Sequence, residues 1–231
     1  MSSQAFGPAL IVGGSPQPSE PALVSALARR SEFVVAVDRG LDVLLAAGCP
    51  CDLFCGDVDS VSETGAELVA RSEAAPVGSF EVERYRPAKD YTDLALALEA
   101  LRSRRGVVPL VATCLYGGAP DQFLAVLGRL SSWEGPVELV EDGFSGRILK
   151  AGQAWELGPE HRGHRFSFVP LAAGCTVSER GMRWELDHAR AEALSDLGIS
   201  NMLDAPHCSI TCHEGALVCW VFTGDDCHIQ A

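Results

Sequence analysis

Short, wholly apolar runs alternate with stretches of helical periodicity through the first half of this chain, and that alternation limits its fold more than any other feature. Ala9-Leu10-Ile11-Val12 is an apolar run that ends at Gly13-Gly14. Phe33 to Val37, Asp52 to Cys55, Val107 to Ala112 and Val137 to Val140 read as further strands. Between them, Ser19 to Arg30, Leu41 to Ala47, Glu63 to Arg71, Thr92 to Leu101 and Asp121 to Leu130 carry helical spacing. A strand that is apolar on both faces has to be covered on both faces. The pattern therefore predicts an α/β fold: a mostly parallel sheet with helices on each side.

Past Asp142-Gly143 the texture changes. Arg147 to Lys150, Arg165 to Val169, Cys175 to Ser178, Cys208 to His213 and Ala216 to Phe222 are short strand candidates separated by glycine-containing turns. Glu214-Gly215 reads as a hairpin turn between the last two. Helical signal survives only at Ala189 to Leu194. A chain of 231 residues has room for two modest cores. The expected division is residues 1–143 as an α/β domain and 144–231 as an all-β sandwich.

The formal charge of -13 argues against nucleic acid, whose binders need clustered Lys and Arg. It does not exclude a nucleotide, because a metal ion can carry the positive charge locally. No stretch approaches the roughly 20 apolar residues that cross a bilayer, so no membrane is expected. Met1 to Gly7 shows no basic segment leading into an apolar one, and the expected location is the cytoplasm. Nine cysteines without a CxxC pair read as buried, reduced thiols. Cys208 and Cys212 share a strand face with Ile210, whereas His207 and His213 fall on the other face, which weakens a joint zinc site.

Three segments can carry chemistry. Gly56-Asp57-Val58-Asp59-Ser60 follows an apolar strand directly, and residues two apart in extended chain face one side. Asp57 and Asp59 could thus converge at a strand's carboxyl end, where α/β folds bind ligands, and hold Mg²⁺. Read alone, the segment is equally a solvated Asp-rich turn. Lys89-Asp90-Tyr91-Thr92-Asp93 precedes the apolar helix that begins at Leu94. Asp90 and Thr92 are ordinary helix caps, but a lysine beside a helix N-terminus favours phosphate. Asp93 could complete the metal site while Lys89 and Thr92 hold phosphate oxygens. Gly117-Gly118 lies between a strand and a helix, where backbone amides can approach phosphate or merely form a turn.

In order and spacing, Val37-Asp38-Arg39-Gly40, Gly56-Asp57-Val58-Asp59-Ser60, Lys89-Asp90-Tyr91-Thr92-Asp93 and Gly117-Gly118-Ala119-Pro120-Asp121-Gln122 resemble the thiamine pyrophosphokinases. The resemblance continues through Gly181-Met182-Arg183-Trp184-Glu185-Leu186 and Gly198-Ile199-Ser200-Asn201. It implies an ATP-binding α/β catalytic domain and a thiamine-binding β-sandwich. It further implies a homodimer with thiamine at the subunit interface, and Mg²⁺-dependent transfer of a diphosphate from ATP to thiamine. By position, Asp57, Asp59 and Asp93 match the family's metal-site acids. Lys89, Thr92 and Asp121 match further ATP and phosphate contacts, and Asp38 lies at the nucleotide side. Arg39, Ser60, Gly117, Gly118 and Gln122 fall in the same matched segments. Trp184, Ser200 and Asn201 match the thiamine pocket, where an indole can stack on a pyrimidine.

Two positions depart from the family pattern. Ala119, followed by Pro120, stands where the family usually has Arg, and Met202 stands where bacterial members commonly have an acid. The alternatives are a pyrophosphokinase for another alcohol, such as a hydroxymethylpterin, and a non-catalytic nucleotide- or thiamine-binding homologue.

Overall fold

The computed structural model describes residues 6–75, 80–85 and 91–223. The chain divides into two compact units, Met1–Gly135 and Pro136–Ala231.

In the first unit, strands β1 (Ala9–Val12), β2 (Phe33–Val37), β3 (Leu53–Gly56), β4 (Glu81–Arg84) and β5 (Leu110–Thr113) alternate with helices. The helices are α1 (Pro21–Arg29), α2 (Gly40–Ala46), α3 (Glu63–Ala74), α4 (Asp93–Arg105) and α5 (Pro120–Ser131). The strands lie in the order β5-β1-β2-β3-β4, all parallel, with Ala9 paired to Phe33 on one side and Leu110 on the other. All residues of β1, β2, β3 and β5 are buried, which is why those strands read as unbroken apolar runs. β4 is different. Its sequence Glu-Val-Glu-Arg lies half exposed at the sheet's edge, where Arg104 of α4 grips both acids, Glu81 and Glu83, at 2.7 Å.

From β1 the chain winds outward to β4 and then returns to place β5 on the other side of β1. The winding reverses between β1 and β5. Their carboxyl ends therefore form the crevice in which such sheets take their ligands.

The second unit holds β6 (Val137–Glu141), β7 (Phe144–Lys150), β8 (Gln153–Leu157), β9 (Arg165–Pro170) and β10 (Cys175–Arg180). β11 (Leu186–Ala191), β12 (Asn201–Met202), β13 (Cys208–Glu214) and β14 (Ala216–Phe222) complete it. Two antiparallel sheets, β12-β9-β14-β7-β6 and β11-β10-β13-β8, enclose a core containing Trp155, Phe166, Phe168, Ile210, Leu217 and Val221. Each large apolar side chain buried there contributes roughly 1.5–3 kcal/mol. Cys208 and Cys212 join Ile210 in that core, and the eight described cysteines are all free thiols. Gly215 makes the expected hairpin turn between β13 and β14 with φ 80°.

Two expectations differ from the structure. Ala189 to Leu194, read as helical, instead supplies the end of β11, where Ala189 and Ala191 pair with Val177 and Cys175 of β10. The neighbouring sheet edge outweighs a helix propensity too short to sustain a helix alone. The boundary expected at 143 falls in the turn between β6 and β7, whereas the compact units part at Gly135–Pro136. β6 (Val-Glu-Leu-Val-Glu) carries two acids among its apolar residues and pairs antiparallel with β7 along its whole length.

Candidate active site

Three strand ends of the first unit reach the crevice through residues in left-handed backbone: Asp38 after β2 (φ 49°), Val58 after β3 (φ 75°) and Cys114 after β5 (φ 56°). A β-branched residue such as Val58 rarely adopts this conformation, and strain of this kind concentrates at binding sites. Gly117 and Gly118 continue the β5 loop with φ 92° and 78°, a geometry natural only to glycine.

A cavity of about 610 Å³ opens above these ends. Its polar wall is Asp38, Asp57, Thr92, Asp93, Asp121 and Gln122. A second cavity of about 330 Å³ shares Asp38 and Gln122 with it and extends over the reversal between β1 and β5. Gly14, Ser15, Arg39, Ser60 and Gly117 line this one. Residues from four predicted segments thus meet here.

Asp38 is the centre of the cluster. Its Oδ1 is buried without a hydrogen-bond partner. A Cβ on Gly56 would stand 1.9 Å from that oxygen, so the carboxylate fits only because residue 56 is glycine. Burial above all, then the charge of Asp93 and a hydrogen bond with it, then the charge of Asp57, push the Asp38 carboxyl up to about 7. A hydrogen bond between two carboxyls needs a proton, and a cation bound among them would relieve the same repulsion.

These residues fit Mg²⁺. The donors are hard carboxylate oxygens, and one of them is buried and unmatched. Among the described residues, no three acidic, imidazole or thiol groups form a closed metal cage. Mg²⁺ typically binds through one or two carboxylates and completes its shell with phosphate oxygens and water.

The remaining expected residues are placed as follows. Asp59, expected as a metal ligand, is exposed and lines neither cavity; its backbone N–H donates to Asp57 Oδ1 at 3.2 Å. Thr92 caps α4, its Oγ1 accepting from the Ala95 N–H at 3.3 Å. Ala119 is the exposed N-cap of α5 and provides no side-chain cap. The next residues, Pro120 and Asp121, form the first turn, with Asp121 Oδ1 accepting from the Gln122 N–H at 2.9 Å. Gly118 lines neither cavity. Lys89 lies outside the described residues.

Sequence reasoning missed Ser15 and Asp42. The Ser15 hydroxyl donates to the Tyr116 carbonyl and ties the β1 loop to the β5 loop. The signal was a glycine pair directly after β1. Asp42, on α2, accepts from the Ser62 N–H at 2.8 Å and from the Ser62 hydroxyl, anchoring the far end of the acidic loop.

In the second unit, Trp184 presents its indole to solvent with 56% of its surface exposed. Its backbone is clasped by the buried side chain of Asn201. Asn201 Oδ1 accepts from the Trp184 N–H at 3.1 Å, and Asn201 Nδ2 donates to the Trp184 carbonyl at 2.8 Å. The Arg183 guanidinium lies 5.7 Å from the indole centroid. Ser200 is left-handed (φ 61°), and its N–H donates to Ser167 Oγ at 2.9 Å.

An acid-lined cleft at the carboxyl ends of a parallel sheet, in one chain with an antiparallel sandwich carrying an exposed tryptophan, defines an α/β enzyme with a fused all-β unit. The model of the thiamin pyrophosphokinase catalytic domain matches residues 24–137. That of the thiamin pyrophosphokinase vitamin B1 binding domain matches residues 156–217. The chain belongs to the thiamin pyrophosphokinase family. No curated protein sequence matches it significantly. Among solved structures, thiamine pyrophosphokinase from Bacillus subtilis superposes with TM-score 0.75 at 21% identity, covering 94% of this chain and 99% of the other. The Geobacillus thermodenitrificans enzyme gives 0.73 at 23% identity, with coverage of 95% and 99%. The yeast enzyme gives 0.74 at 13% identity, with coverage of 97% and 89%. These structures share the fold. Among the described residues, no helix is long and apolar enough to cross a membrane.

Proposed function

We infer that the protein is a thiamine diphosphokinase: it transfers the diphosphate of ATP to the hydroxyl of thiamine, giving thiamine diphosphate and AMP. The observation that carries this reading is the Asp38–Asp57–Asp93 cluster at the crevice of a chain that matches both domains of the family.

The thiamine hydroxyl oxygen attacks the β-phosphorus of ATP, and the bond from that phosphorus to the α,β-bridging oxygen breaks, releasing AMP. The hydroxyl proton passes to a carboxylate; we assign it to Asp121, on the cavity wall. Such a displacement needs positioning and charge neutralisation rather than covalent catalysis. Asp57 and Asp93 would hold Mg²⁺, with Asp38 beside them and Asp59 orienting Asp57. An Mg²⁺ held there would supply positive charge to offset that of the phosphates. Arg39, Ser60 and the Gly117 loop cradle the nucleotide.

Trp184 offers the thiamine pyrimidine a stacking face. A homodimer completes that pocket. Leu194, Leu197 and Ile199, in the segment leading into Ser200 and Asn201, are exposed apolar residues that a second copy would cover. The free cysteines suit a reducing cytoplasm.

The test is AMP release from Mg-ATP with and without thiamine. Thiamine-dependent release supports the reading. Release driven by a hydroxymethylpterin instead would reassign the acceptor, and no release with any alcohol would leave a binding protein.

A further inference from the structure

We propose that Glu179 is a positioning residue for Trp184, acting through Asn201. The inference rests on the reading of Trp184 as the thiamine platform.

Glu179 occupies an inward position of β10, in step with Cys175 and Val177, and is 1% exposed. A carboxyl in that row is costly unless something requires it. Its Oε1 has no hydrogen-bond partner. Its Oε2 has one, accepting from Asn201 Nδ2 at 3.0 Å. Among the described residues no cation compensates it: burial drives its carboxyl up to about 7, and the Asn201 hydrogen bond opposes the rise.

The Asn201 amide is fully committed within the protein. Its oxygen accepts from the N–H groups of Trp184 (3.1 Å) and Met202 (2.8 Å). Its nitrogen donates to the Trp184 carbonyl (2.8 Å) and to Glu179 (3.0 Å). An amide has two donor and two acceptor positions, so nothing remains for a ligand. Asn201 therefore serves thiamine through Trp184, by gripping both polar groups of that residue's backbone. Turning the amide over would set its N–H groups against two donors and its oxygen against two acceptors. Glu179 is the member of this set that reaches Asn201 from inside the core, and it holds the amide in the gripping orientation.

The test is steady-state kinetics on the full chain. Glu179→Leu removes the acceptor and leaves an Asn201 N–H unsatisfied in the core. The thiamine KM should rise about tenfold, while the ATP KM stays within about twofold. Glu179→Gln keeps an acceptor and should hold the thiamine KM within about threefold of wild type. A second readout uses no substrate: the Trp184 emission, taken as the difference between each chain and its Trp184→Phe version. That emission should shift to the red and quench more readily in Glu179→Leu, and not in Glu179→Gln. Should Glu179→Leu fail to fold, Asn201→Ala takes its place with the same expectations.

An unchanged thiamine KM and Trp184 emission in the folded Leu variant would overturn the proposal. So would a Gln variant as impaired as Leu, or an equal rise in the KM of both substrates. If the wild-type chain turns over no thiamine, the functional reading fails, and the emission arm still decides the positioning role.

Discussion

Glu179 also makes the stability of the protein depend on pH, and Glu179→Gln isolates that contribution. In the folded chain its carboxyl titrates near 7 against an ordinary 4.5, because burial strips it of water. Between those values the native state keeps a proton that the unfolded chain has already released. Unfolding free energy therefore falls as pH rises through the window, and the full penalty is present above pH 7. Moving the titration from 4.5 to about 7 corresponds to about 3 kcal/mol. For a chain of this size that is roughly 6–12 °C in melting temperature. Glutamine does not titrate, so its curve lacks this component. It places an amide N–H where Oε1 now has no partner, which carries a pH-independent cost of about 1–3 kcal/mol. The diagnostic quantity is thus the change in the wild-type-minus-variant difference with pH, not its offset. Urea unfolding followed by circular dichroism at pH 5 and pH 8 measures it. Asp38 titrates near the same pH with the same sign but is common to both chains, so it cancels. We expect wild type to lose about 2.5 kcal/mol relative to Glu179→Gln between the two pH values. Parallel stabilities across that range would refute the argument.

Asp57→Asn or Asp93→Asn should lower turnover by about 100-fold or more, since the amide keeps the shape but loses the charge; the check is rate against Mg²⁺ concentration. Gly56→Ala sets a methyl against Asp38 Oδ1 and should destabilise by about 1–3 kcal/mol. Gly128→Ala, in α5 with nothing within 4 Å, should instead stabilise by about 1 kcal/mol, and thermal unfolding compares the two. Ala119→Arg gives the exposed start of α5 a phosphate-binding cation and should lower the ATP KM, whereas Arg39→Ala should raise it; titration with an unreactive ATP analogue separates the cases.

The first unit was legible because its central strands are buried on both faces, and burial on both faces leaves unbroken apolar runs such as Phe33–Val37. β4 left no such trace. Its charged sequence becomes a strand only through an edge position and the grip of Arg104, a contact between elements distant in the chain. Asp57, Asp93 and Asp121 were legible as acids at strand and helix ends. The leading place of Asp38 was not, since it depends on Gly56 making room and on Asp93 arriving from another element. Asn201 could be read as part of a pocket, but only its four hydrogen bonds reveal that it acts on Trp184. Glu179 did leave a signal: a carboxyl in step with Cys175 and Val177 breaks an inward row, and a break in such a row marks a residue kept for a reason other than packing.

Central to this account is that two phosphates move together from ATP to thiamine. ATP labelled in its γ-phosphate, incubated with the protein, Mg²⁺ and thiamine, tests this directly. The account predicts that the label appears in thiamine diphosphate, one molecule for each AMP released, with none in free phosphate. Label in thiamine monophosphate alongside ADP, or in free pyrophosphate whether or not thiamine is present, would contradict it.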